Sequence, residues 1–183
     1  ENGIYLTTGL YVSRRVTWRA IGFDRDGIVP MSQFKNLIVC HEPAFENWKT
    51  FARNLLLHRN PYTGRRYVDE PGLPLISFVN EGTLRAAWND VRGLDPFRRE
   101  WRDWLRGKRM ADPGFARSVS EDVTKVASGT DVMQLFMAER EIRLAGRQRA
   151  FLRSIGCRAL FTSQNCDDHR AMASAREAYD YVD

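Results

Sequence analysis

The sequence lacks several features that mark specialised classes of protein. No apolar run approaches the roughly 18 residues that a membrane-spanning helix needs. Residues 1–9 have no basic start followed by an apolar stretch, so no signal peptide is recognised, and without an initiator Met we expect a processed or excised piece. No internal period is found, which excludes collagen, coiled coils and short repeats. The 183 residues, 43% hydrophobic and 28% charged, predict one domain over residues 1–183.

Cysteine and histidine are scarce. The three cysteines, Cys40, Cys157 and Cys166, are odd in number and not closely paired, which argues against a disulfide framework. Cys166 and His169 are three residues apart, but a zinc site needs three or four ligands at motif spacing. Glycine-rich phosphate loops are absent too. We therefore expect neither a metal nor a cofactor.

The positive charge comes almost entirely from arginine. There are 28 Lys and Arg against 23 Asp and Glu, a formal net charge of +5. A nucleic-acid-binding protein would concentrate this charge in one stripe. Here the arginines are spread and often stand beside acids, as at residues 98–100 and 139–141. This favours a solvated surface without a nucleic-acid partner, and the nucleic-acid alternative would require binding that depends steeply on salt.

Short apolar segments alternate with helical patterns along the chain. Four segments rich in β-branched and aromatic residues predict strands at residues 3–12, 73–79, 158–162 and 179–182. Apolar residues at helical spacing predict helices at residues 43–57, from residue 95, and at residues 131–155, with shorter ones at 112–127 and 170–178 and a loop at 19–31. Crossover helices between buried strands predict an α/β fold with a parallel sheet. The sheet could be an open doubly wound one or about half of a (β/α)8 TIM barrel, whose full size is about 250 residues.

The longest predicted helix carries an apolar stripe and one solvent-facing ion pair. The pair is Glu139 with Arg143, four residues apart. The predicted buried stripe consists of Val132, Leu135, Phe136, Ile142, Ala145, Leu152 and Ile155.

Polar residues follow three of the predicted strands, where parallel α/β folds place their active sites. They are Tyr11 to Arg14, Asn80 with Glu81, and Gln164 with Asn165. A carboxyl group beside low-dielectric walls can act as a general acid. Taken alone, the Asn80-Glu81 pair favours a structural interpretation, in which Glu81 caps the helix that follows the strand.

Three segments in order carry a resemblance to a known family. They are residues 55–67, which contain Asn-Pro-Tyr-Thr-Gly, then Asp69-Glu70-Pro71, then Ile-Ser-Phe-Val-Asn-Glu at 76–81. Together they resemble the cellulase-like glycoside hydrolases of clan A, the family 5-type barrels, and a bacterial subset in particular. Residues 3–14, 160–165 and 178–183 look like strand three, strand five and the entry to strand six of those enzymes. The resemblance thus implies a partial TIM barrel covering strands three to six.

The resemblance also implies a mechanism. Glu81 would be the general acid/base of a retaining glycosidase, and Asn80 would contact the sugar hydroxyl next to the anomeric carbon. Trp88 would be a sugar-stacking platform, with core packing as its alternative, and Arg14 would contact substrate unless it forms a surface ion pair. The expected substrate-binding residues are Asn80, Tyr11, Arg14, Trp88 and Asn165.

The sequence departs from the family pattern in two places. Gly82 stands where the family often has Asn, and the family's nucleophilic Glu, at the end of strand seven, would lie beyond this chain. We therefore expect an inactive fragment of a carbohydrate-cleaving enzyme, whose open edge strands make it self-associate when isolated. Polysaccharide chemistry favours an extracellular or periplasmic parent protein without a membrane partner. The alternative is a non-catalytic, flavodoxin-like open α/β domain that binds a ligand at its strand ends.

Overall fold

The computed structural model describes residues 4–11, 13–81, 88–163, 173 and 175–181. They contain three strands, β1 (Thr7–Gly9), β2 (Leu75–Ser77) and β3 (Leu160–Thr162). The α-helices are α1 (Met31–Cys40), α2 (Glu42–Leu56), α3 (Trp88–Val91), α4 (Asp95–Ala111) and α5 (Asp131–Ser154). Short 3₁₀ helices lie at Arg19–Ile21, Tyr67–Asp69 and Val123–Lys125.

The three strands form a parallel sheet in the order β1-β2-β3. Thr8, Ile76 and Phe161 are aligned across it. Backbone hydrogen bonds continue past the assigned strands, since the amide of Leu10 donates to the Ser77 carbonyl at 2.9 Å. This confirms the predicted α/β class with a parallel sheet.

A fourth strand from Tyr179 is not found in the described part of the chain. The amide of Asp180 donates to the Phe161 carbonyl at 2.8 Å, and the Phe161 amide donates to Asp180 Oδ2 at 2.9 Å. A side-chain carboxylate thus takes the place of the next backbone acceptor, and the ladder stops after one residue. Val182 and Asp183 lie outside the described residues, as does most of the predicted helix at 170–178.

For the three long helices, every bound that was predicted from the sequence agrees with the structure to within one residue. α2 buries Phe45, Trp48 and Ala52 on one face, and Pro43 lies in its first turn. α4 begins at Asp95. α5 ends at Ser154, two residues before Gly156, the glycine expected to stop it. Short-range periodicity specifies such helices because each repeats its buried face several times.

Two regions differ from the prediction. α1 was missed, although Phe34, Leu37 and Ile38 are buried at helical spacing directly after Pro30. Residues 112–127 form turns and the 3₁₀ helix Val123–Lys125 instead of one or two α-helices. α1 is only ten residues long, so its apolar pattern repeats only twice and gives a weak helical signal.

The buried side chains form two clusters. The sheet cluster joins Ile76, Phe78 and Phe161 to Trp48 of α2 and Leu152 of α5. The aromatic cluster lies among α3, α4 and α5, where ring centroids are 5.2–6.4 Å apart in edge-to-face pairs that aromatic quadrupoles favour. Its rings are Trp88, Phe97, Trp101, Trp104 and Phe136.

The predicted stripe on α5 is only partly right. Phe136, Ala145 and Leu152 are buried, whereas Leu135 is 39% exposed and Ile142 is 41% exposed. Val132 and Ile155 are partly buried. The first half of α5 packs in the aromatic cluster and the second half in the sheet cluster, so its buried face is not a single stripe. Two polar residues, Glu141 and Gln148, are buried there instead.

The predicted pair between Glu139 and Arg143 is wrong. Glu139 accepts hydrogen bonds from Trp104 Nε1 at 2.8 Å and from Lys108 Nζ at 2.5 Å, both on α4. Arg143 donates to Glu100 of α4 at 3.1 Å. Contacts between the two helices therefore replace the pair within one helix.

Three exposed apolar residues precede β1, the strand at one edge of the described sheet. Ile4, Tyr5 and Leu6 are 70%, 73% and 60% exposed. Such an edge is where the expected self-association would occur, and that association stays a prediction. Within the described residues, no helix combines the length and the apolarity that crossing a membrane requires.

Candidate functional site

The carboxyl ends of the three strands meet at one edge of the sheet. The backbone amide of Asn80 donates to the Tyr11 carbonyl at 2.9 Å, which joins the segments after β2 and β1. The Ser163 hydroxyl donates to the Val79 carbonyl at 3.1 Å, which joins those after β3 and β2. The structure thus brings together the backbones of two predicted site residues, Tyr11 and Asn80, at the edge where parallel sheets carry their sites.

Glu81 follows the central strand and is exposed. Its backbone φ is +49°, in the left-handed region. This conformation costs an L-residue roughly 1–2 kcal/mol, and such strain concentrates at functional sites. Because the side chain is exposed, the residues described around it do not supply the low-dielectric walls that we expected. Its carboxylate is accessible to a ligand lying over the end of the sheet.

The backbone before Glu81 is held from several directions. Trp48 Nε1, on α2, donates to the Phe78 carbonyl at 3.1 Å. The Phe78 amide donates to the Thr162 carbonyl at 2.9 Å. Trp48 and Phe78 are both buried, so these bonds are shielded from water. The end of β2 is therefore fixed by α2 as well as by the neighbouring strand.

The Tyr11 side chain lies in the core. It is 1% exposed, its ring centroid is 4.8 Å from that of Phe34, and its hydroxyl is 3.4 Å from the Arg14 carbonyl. Burial raises the pKa of its phenol above the usual value. In this structure the backbone of Tyr11, and not its ring, belongs to the site.

Arg14 is turned toward α2. Its Nη2 donates to Asn47 Oδ1 at 2.5 Å and to the Asn47 carbonyl at 3.2 Å. Its guanidinium lies 4.8 Å from the Phe51 ring and 5.3 Å from the Phe34 ring. Burial lowers the pKa of this guanidinium below its usual value. These contacts differ from the surface ion pair that was the alternative interpretation, since the partner is an amide and not a carboxylate. Substrate contact stays a prediction.

Trp88 packs in the aromatic cluster and is 1% exposed. Its ring is edge-on to Phe97, Trp101 and Phe136. A sugar-stacking platform needs an exposed ring face, so the structure agrees with the core-packing alternative. Asn165, the remaining predicted site residue, lies outside the described residues.

Tyr179 and Ser163 form a polar contact beneath the site that the sequence analysis missed. The two side chains are hydrogen-bonded, and burial together with the charge of Glu141 raises the pKa of the Tyr179 phenol far above its usual value. Ser163 carried a usable signal, because it follows β3 directly. The sequence contains no such signal for Trp48, because a tryptophan in the apolar stripe of α2 is indistinguishable from an ordinary core residue.

The described residues bring no three His, Cys, Asp or Glu side chains together as a metal site. A cleft of about 740 Å³ lies at the opposite edge of the sheet, between the segments that precede β2 and β3. Within it, Arg66 is paired with Asp69 through two hydrogen bonds of 2.6 and 2.9 Å. This cleft contains neither Asn80 nor Glu81, so it is separate from the candidate site.

No protein-family model matches this chain, and neither a curated protein nor a solved structure matches it significantly.

Proposed function

We propose that this chain is part of a retaining glycoside hydrolase and that Glu81 is its general acid/base. The observation that carries the proposal is an exposed carboxylate, in a left-handed backbone conformation, four residues after the end of the central strand of a parallel sheet. The resemblance of residues 55–81 to clan A enzymes supports the same assignment. In this proposal the chain covers strands three to six of a (β/α)8 barrel. The described sheet corresponds to strands three to five, and residues 178–183 to the entry to strand six.

The proposed chemistry has two steps. Glu81 gives its proton to the glycosidic oxygen while a second carboxylate, about 5–5.5 Å away, bonds to the anomeric carbon and the leaving alcohol departs. Glu81 then removes a proton from water, which attacks the anomeric carbon and releases the second carboxylate. Asn80 would bind the hydroxyl beside that carbon. The second carboxylate would come from a strand outside this chain, so we expect the chain alone to be inactive.

The test is Glu81→Gln in the natural protein that contains this chain. A panel of dinitrophenyl β-glycosides of glucose, mannose, xylose and cellobiose first identifies the sugar. The phenyl glycoside of that sugar, whose leaving group needs a proton, is then compared with the dinitrophenyl one. Loss of general acid catalysis should lower kcat/KM for the phenyl glycoside by about 10²–10⁴ and affect the dinitrophenyl glycoside much less.

Glu70→Gln is the matched control, because Glu70 lines the cleft at the other edge of the sheet. It should leave both rates unchanged. An equal loss on both substrates in Glu81→Gln would assign Glu81 a structural role. A natural protein that binds the sugars but cleaves none of them would contradict the proposal and favour a binding domain.

A further inference from the structure

We propose that Trp48 and Ser163 are positioning residues that hold the end of β2 so that Glu81 keeps its left-handed backbone conformation. The catalytic consequence of this inference rests on the proposed function of Glu81, whereas its structural part does not. Neither residue needs to touch a substrate. Each acts on a carbonyl of the segment that leads into Glu81.

The first anchor comes from α2. Trp48 is fully buried, and its ring meets Phe78 edge-on with centroids 6.5 Å apart. Its indole N–H donates to the Phe78 carbonyl at 3.1 Å. Because both groups are shielded from water, breaking this bond would leave a buried donor and acceptor unsatisfied. The position of α2 therefore determines where the Phe78 peptide lies.

The second anchor comes from the segment after β3. Ser163 is 7% exposed, and its hydroxyl donates to the Val79 carbonyl at 3.1 Å. Tyr179 is hydrogen-bonded to the Ser163 side chain and holds it in place. On the side of β1, the backbone amide of Asn80 donates to the Tyr11 carbonyl at 2.9 Å. Three consecutive residues before Glu81 are thus bound to three different parts of the fold.

These anchors explain how a strained conformation persists at Glu81. A left-handed backbone brings the Cβ of an L-residue too close to the following carbonyl, and glycine avoids this contact because it has no Cβ. The segment of residues 78, 79 and 80 cannot shift to relieve this contact without breaking the hydrogen bonds that hold it. The same backbone sets the direction in which the Cα–Cβ bond of Glu81 leaves the chain.

A thermal-unfolding cycle in the natural protein tests the structural part. Glu81→Gly should raise Tm by about 2 °C by relieving the strain. In a Trp48→Phe background, which keeps the ring and removes the indole N–H, the same change should give less than half that gain. Ala116, whose φ is +45°, provides the control, because Ala116→Gly should give the same gain in both backgrounds. An equal gain from Glu81→Gly in both backgrounds, or no gain in either, overturns the inference.

The rates test the catalytic part. Trp48→Phe and Ser163→Ala should each lower kcat/KM for the phenyl glycoside about tenfold and spare kcat/KM for the dinitrophenyl glycoside. This ratio reports the first step, in which Glu81 gives its proton, and small misplacements of a catalytic group cost up to about 10² in rate. Trp104→Phe also removes a partly shielded indole hydrogen bond, to Glu139, and should change neither rate. A merely structural role would lower both substrates equally.

The two proposals fail in different ways. If Glu81→Gln leaves the phenyl glycoside rate intact, the proposed function is wrong, while the Tm cycle still decides whether the anchors hold Glu81. If Glu81→Gln gives the expected loss but Trp48→Phe and Ser163→Ala lower both substrates equally, only the positioning inference is wrong.

Discussion

The carboxylate of Asp180 lies where another strand would pair with β3. It accepts from the Phe161 amide at 2.9 Å, and its own amide donates to the Phe161 carbonyl at 2.8 Å. Arg149 and Arg153 approach the carboxylate to 3.0 and 3.8 Å. At the residue scale, these contacts hold the segment around Asp180 against the outer edge of β3.

Replacing Asp180 with Ala should destabilise the protein by about 1–3 kcal/mol, because the buried Phe161 amide loses its acceptor. Asp180→Asn keeps an oxygen acceptor and should cost less. Urea unfolding measures both. Asp24→Ala is the control, since Asp24 is 97% exposed and should cost less than about 0.5 kcal/mol. Similar losses for Asp180→Ala and Asp24→Ala would contradict the assigned role.

At the scale of elements, α5 joins the two clusters of the core. Met133, Phe136 and Met137 belong to the aromatic cluster, whereas Ala145 and Leu152 belong to the sheet cluster. The carboxylate of Glu139 joins the same helix to α4 through Trp104 and Lys108. The two ends of α5 thus depend on different neighbours, which explains why a single stripe did not describe its buried face.

Phe136→Ala should destabilise the protein by about 3–5 kcal/mol, because a fully buried ring that contacts four other aromatic rings is removed. Leu135→Ala, at the adjacent position, should cost less than about 1 kcal/mol, because Leu135 is 39% exposed. The sequence predicted that both residues were buried. Chemical denaturation distinguishes them, and comparable losses would mean that α5 is rotated from the orientation described.

At the scale of the whole molecule, buried thiol and phenol groups make the stability depend on pH. Burial raises the pKa of Cys40, with a further contribution from the charge of Glu100. Burial likewise raises the pKa of Tyr179 and of Tyr11. The unfolded chain therefore releases these protons at a lower pH than the folded one. Stability is complete below the unfolded pKa values, about 8.5 for a thiol and 10 for a phenol, and is lost as the pH rises above them.

The free energy of unfolding should fall above about pH 9, by up to about 1.4 kcal/mol per pH unit for each such group. Urea unfolding at a series of pH values measures the slope. Cys40→Ala should remove only part of the loss that begins near the thiol pKa, because burial also raises the pKa of Cys157. Tyr179→Phe should remove part of the loss at higher pH. Tyr62→Phe is the control, since Tyr62 is 95% exposed, and it should leave the slope unchanged. A stability that is flat to about pH 11 would contradict the burial of these groups.

Features that repeat over a few residues could be predicted from the sequence alone. Alternating apolar segments and helical periodicities predicted a parallel α/β fold, the bounds of α2 and α5 and the start of α4, because each pattern recurs within one element. The position of Asn80 and Glu81 after an apolar strand also followed from order along the chain.

Which polar side chains meet depends on how the elements pack in the folded chain. Arg14 donates a hydrogen bond to Asn47, Trp48 to the Phe78 carbonyl and Phe161 to Asp180. These partners are 33, 30 and 19 residues apart in the sequence. Trp88 and Trp48 occupy similar apolar positions in the sequence, yet the indole N–H of Trp48 fixes the segment before the candidate acid. Such pairings depend on how elements pack in three dimensions, and periodicity along one element contains no information about the neighbour across the core.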